Sequence, residues 1–77
     1  MNIDLADVTL HVDETLDADG RSQLEDAFRI REGVISVHID PKHPHLFVIE
    51  YNPEKVNSQD LLAIASFQGL HAELIGL

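Results

Sequence analysis

The chain has 77 residues, five lysines and arginines against fourteen aspartates and glutamates, a formal net charge of −9, and no cysteine. That length holds one domain, residues 1–77, with little core to spare. The charge disfavours nucleic acid and anionic lipid as partners, and the missing thiols exclude disulfides, thiolate nucleophiles and thiolate metal ligands.

A hydrophobic share of 44% is that of a globular chain. No run approaches the roughly 18 apolar residues of a membrane helix. Met1 to Asp7 lacks both the basic start and the apolar stretch of a signal peptide, so a cytoplasmic location is expected.

In chain order, Val8, Leu10 and Val12 alternate with Thr9 and His11, which predicts a half-buried strand over Thr9 to Val12. The acidic stretch from Asp13 to Gly20 reads as a loop, with Asp17 or Asp19 as helix cap. A first helix is expected over Arg21 to Glu32, its stripe Leu24, Ala27, Phe28 and Arg31, with Ile30 covering part of the last turn. Gly33 marks its stop. Val34 to Asp40 alternates again, with Ile35, Val37 and Ile39 against Ser36 and His38. Pro41-Lys42-His43-Pro44-His45 is a turn, because two prolines break strand pairing. Leu46 to Tyr51 returns as a strand with Phe47, Ile49 and Tyr51 on one face. Asn57 or Ser58 starts a second helix with Leu61, Ile64 and Ala65 inward, Leu62 beside them, and Gly69 at its end. Leu70 to Leu77 reads as a last strand with Ala72 and Leu74 inward. Right-handed crossovers then interleave two β-α-β units into a ferredoxin-like α+β sandwich: one antiparallel sheet of order 4-1-3-2 with both helices on one face.

Several pieces in this order resemble the heavy-metal-associated domains of copper chaperones and metal-pumping ATPases. They are Leu10-His11-Val12, then Gly33-Val34-x-x-Val37-x-Ile39-Asp40, then Ile49-x-Tyr51-Asn52-Pro53, and finally Leu61, Ile64, Ala65 and Gly69-Leu70-x-Ala72-x-Leu74-Ile75. The likeness runs from about Val8 to the C-terminus, and the spacing from Leu10 to Val34 matches without a gap. In that family the first loop carries Met-x-Cys-x-x-Cys, whose thiolates grip Cu(I) or Hg(II). The matching positions here are Thr15, then Asp17 and Gly20. A carboxylate and a glycine offer no soft donor, so transfer of such ions by thiolate exchange is excluded.

Two functions remain on this scaffold. The first is a non-catalytic interaction or regulatory module. Similar domains dock through their first loop, and Asp13, Glu14, Asp17 and Asp19 here would suit a basic protein partner, with Phe67 as a docking anchor. Packing of Phe67 under the loop before the last strand is the plainer expectation. The second is metal handling by harder ligands. Asp17, Asp19 and His71 would gather at one end of the sheet and suit Zn(II), Ni(II) or Cu(II), with His43 and His45 further away. Loop solvation and helix capping explain the same carboxylates without any ion.

On the sheet's outward face, Val48 and Ile75 stand where polar residues are expected, among His11, His38 and His71. That face, or an edge strand, is a possible homodimer surface; solvent is its ordinary neighbour. A small-molecule sensor of the same topology would need such a dimer. No Gly-x-Ser-x-Gly elbow and no phosphate loop occurs, so no cofactor and no catalysis are expected.

Overall fold

A computed structural model describes residues 4–75. The element order is β1 (Ala6–Val12), α1 (Ala18–Arg29), β2 (Val34–Ile39), β3 (Leu46–Tyr51), α2 (Ser58–Phe67) and β4 (Ala72–Ile75). The strands form one antiparallel sheet of order β2-β3-β1-β4, the expected ferredoxin-like topology read from its other edge. The expected end of the last strand, Gly76-Leu77, lies outside the described residues.

Alternation decides which side chains meet the helices. Leu10 and Val12 from β1, and Phe47, Ile49 and Tyr51 from β3, are buried. They pack against Leu24 and Phe28 of α1 and Leu61 and Ala65 of α2. Phe28 meets Phe47 edge-on, ring centroids 6.1 Å apart, an arrangement aromatic rings favour. No polar side chain is buried among the described residues.

Three expectations need correction. α1 begins at Ala18 rather than Arg21, because Asp17 caps it: its Oδ1 accepts the Gly20 amide at 2.7 Å. The helix accordingly ends earlier, and Ile30 is 85% exposed instead of covering the last turn. In β2, Ile35 faces solvent, since a bulge sets Val34 opposite Tyr51 and Ser36 opposite Glu50. The extra residue reverses the alternation, and Val34 takes the inward place.

Gly33 is needed for two reasons. Its φ is +101°, and a Cβ there would stand 2.8 Å from Lys55 Cβ and 2.9 Å from Val56 Cγ1. Its carbonyl also accepts the Asn52 amide at 2.7 Å. The chain therefore crosses close to the β3–α2 connection with no room for a side chain.

Candidate functional site at the loop-one end

Loop one (residues 13–17), the β2–β3 turn (40–45) and the α2–β4 connection (68–71) meet at one end of the sheet. Backbone bonds tie them together. Val12 N donates to His45 O at 2.9 Å, and Asp13 N donates to His71 O at 2.8 Å. The strand next to β1 on one side thus holds its last residue, and the approach to β4 on the other side holds the first residue of loop one.

Asp17 and Gly20 occupy the start of the first crossover. They face each other across the cap bond, carboxylate to backbone amide. Asp17 is thus occupied in starting a helix, and its charge sits at the helix's positive end together with Asp19 in the first turn. The Arg21 guanidinium reaches back to the Leu16 carbonyl at 2.7 Å and closes the loop over this turn.

His71 is held by Glu14. The Glu14 carboxylate accepts the His71 amide at 2.8 Å and the ring Nδ1–H at 2.6 Å. These bonds favour the charged form of each partner. The side-chain bond, ahead of the charge of Glu14, raises the His71 pKa from its usual 6.5. The side-chain bond and then the backbone bond from His71 lower Glu14 from its usual 4.5. His71 is exposed and Glu14 half-buried, so the pair is a solvated latch between loop one and the approach to β4 rather than a buried lock.

Asp17, Asp19 and His71 do not come together as one ligand set. Among the described residues, the imidazole and carboxylate group whose ligand atoms all lie within 4.8 Å of one another is His11, Asp13 and Glu73. Sheet geometry assembles it. His11 and Asp13 are two apart in extended chain and share a side, and Glu73 is the cross-strand partner of His11. The His11 Nδ1 lies 3.2 Å from Asp13 Oδ1 and 3.8 Å from Glu73 Oε1. The signal was present in the sequence as two outward residues on adjacent strands. It needed the β1–β4 register, which alternation alone does not fix.

His45 is nearer than its hairpin position suggested. β3 is the neighbour of β1, so the last turn residue lands over the end of β1. There its ring stacks on His11 with centroids 5.6 Å apart and planes at 19°. Its Nδ1 bonds the Val12 carbonyl at 2.7 Å, and because a carbonyl only accepts, Nδ1 carries the proton. His43 remains exposed in the turn, where its backbone N–H donates to the Asp40 carbonyl.

Phe67 does not fold under the neighbouring connection; it is 89% exposed at the end of α2, four residues before His71. Val48 and Ile75 are exposed on the outer sheet face, at 36% and 39%. A shallow groove between α2 and β4 is lined by Asp13, Gln59, Leu62, Ser66, His71 and Glu73.

No family model matches the chain, and no curated protein matches it. Solved structures do match. The fold is similar to oxidized MerP from Ralstonia metallidurans CH34, with TM-score 0.85 and 19% identity over 95% of this chain and 100% of that one. It is similar to a copper-binding domain from HMA7, a P-type ATPase, with TM-score 0.82 and 17% identity over 91% and 93% of the two chains. It is also similar to the N-terminal domain of a potential copper-translocating P-type ATPase from Bacillus subtilis in the Cu(I)-loaded state, with TM-score 0.81 and 20% identity over 91% and 86%. The fold is that of the heavy-metal-associated domains, here in a chain without cysteine. Among the described residues, no helix is long and apolar enough to cross a membrane.

Proposed function

We propose that this chain is a non-catalytic interaction or regulatory module, a cysteine-free variant of the heavy-metal-associated scaffold that docks a basic protein partner through its loop-one end. One observation carries the reading. At the two positions matching the family's sulfur pair, Asp17 and Gly20 make a helix cap, and the surrounding surface is carboxylate. Asp13, Glu14, Asp17 and Asp19 supply the charge, and Phe67 supplies an exposed aromatic beside it. Complementary charge of this kind mainly speeds and orients encounter, and a desolvated aromatic supplies the holding contact.

The groove at this end is shallow, and among the described residues that line it the one hydroxyl, that of Ser66, has no base hydrogen-bonded to it. An interaction role therefore accounts for the surface better than catalysis. The cytoplasm is the compartment the proposal assigns.

A lysine-rich peptide titrated into isotopically labelled protein tests docking. Amide shifts are expected at residues 13–19 and 67–71, weakening steadily as sodium chloride rises through the range where the Debye length falls to about 10 Å. Shifts elsewhere, or binding indifferent to salt, would reject the proposal.

A further inference from the structure

We infer that His11, Asp13 and Glu73 form a binding site for a divalent transition ion of the Zn(II) class, on the outer face of the sheet and separate from the helix start that carries Asp17 and Gly20. The site follows from donor spacing. A tetrahedral ion with bonds of about 2.1 Å holds its donors about 3.4 Å apart. The His11 Nδ1 stands 3.2 Å from the Asp13 carboxylate and 3.8 Å from that of Glu73, on either side of this value. All three ligand atoms fall within 4.8 Å of one another. Little movement separates the ion-free set from a coordinating one.

The donor chemistry narrows the ion. One imidazole nitrogen and two carboxylate oxygens suit a borderline divalent ion. Soft Cu(I) finds no sulfur, and Mg(II) and Ca(II) prefer oxygen throughout. Three protein ligands leave a fourth position to solvent. In the bound state the His11 ring carries its proton on Nε2 and gives the Nδ1 lone pair to the ion.

The set is held in place from both flanks. Asp13 is fixed through its amide to the His71 carbonyl, and Glu73 is fixed by its register in β4. The His11 ring lies against that of His45, which is itself pinned to the Val12 carbonyl. With the backbone already ordered at these positions, binding has chiefly side-chain rotamers left to fix. The two carboxylates and the overall charge of −9 attract a cation to this face. Asp13 belongs to both surfaces, so an ion held here removes one carboxylate from those offered to a partner at loop one.

Zinc chloride titrated by calorimetry, and cobalt(II) followed by visible absorption, are the tests, with the full chain in a non-chelating buffer. The expected result is saturation at one ion per chain, the d–d bands of a four-coordinate Co(II), and ring shifts centred on His11. E73Q and D13N, both at exposed positions, should each weaken zinc by at least about tenfold. D19N should leave it unchanged. Absence of saturation, undiminished binding in E73Q and D13N, or an equal loss in D19N would each overturn the site.

Discussion

The two helices start at opposite ends of the molecule, and their caps are built differently. At α2 the cap is reciprocal: Asn57 accepts the Asp60 amide at 2.8 Å, and Asp60 accepts the Asn57 amide at 3.0 Å. Asp60 also meets Arg31, two residues past the end of α1, at 3.5 Å, so this cap reaches the chain that follows α1. At α1 the cap runs one way. Asp17 accepts from Gly20, and Gly20 has no side chain with which to return the bond. The α2 cap reaches a distant part of the chain through Arg31, whereas the α1 cap is local. Chemistry at the α1 start can therefore change while the scaffold stays, and that is what a sulfur-free member of this fold requires.

The two ends differ most in their glycines, and replacing each should expose the difference. G33A forces a left-handed residue to carry a Cβ against Lys55 and Val56. The backbone alone should cost roughly 1–3 kcal/mol, with the steric contact adding to it. G20A meets only the Asp17 carboxylate at 3.2 Å and Leu16 beyond it. It gains helix propensity and should change stability by less than about 1 kcal/mol. Urea denaturation of the two variants measures the gap, and equal losses would break the comparison.

The caps come next in size. N57A removes the reciprocal pair and should cost about 1–2 kcal/mol, while D17A loses a single bond and should cost about 1 kcal/mol or less. For a domain this small, each kcal/mol lowers the melting midpoint by about 4–8 °C. Thermal melts followed by circular dichroism rank them. A larger loss in D17A would place the structural joint at the wrong end.

The smallest expected effect is the latch between Glu14 and His71. His71 is raised, so its contribution is complete below pH 6.5 and fades as pH climbs through its folded value. Glu14 is lowered, so its contribution is complete above pH 4.5 and fades as pH falls through its folded value. The latch is therefore strongest between these two ordinary values, where both partners are charged. In E14Q the His71 ring should titrate closer to 6.5 by NMR. An unmoved midpoint would remove Glu14 as the cause.

The strands and helices were legible because one buried face imposes a period of two or 3.6 on the residues. Phe47, Ile49 and Tyr51 lie where alternation puts them. Ile35 does not, because a bulge changes phase by one residue and leaves no mark in hydropathy. The α1 start was half legible: Asp17 was a visible cap candidate, but Ala18-Asp19-Gly20 reads as loop to anything that weighs propensity alone. The ligand set at His11, Asp13 and Glu73 depends on which residue of β4 lies opposite which residue of β1. That is long-range information fixed by packing. The His45 stack on His11 needed the same knowledge of register, this time between β1 and β3.

The proposed function sets the α1 cap at the positions that the resemblance matches to a sulfur pair, and placing thiols there tests this directly. D17C/G20C removes the carboxylate that a Cβ on residue 20 would meet and leaves ordinary contact with Leu16. Two thiols at a helix N-terminus are readily ionised there. Cu(I) retention against a competing chelator is the measurement. The unaltered chain should surrender Cu(I) completely, and the double variant should hold one ion per chain. Stoichiometric Cu(I) retained by the unaltered chain, or a folded double variant that holds none, would contradict the account.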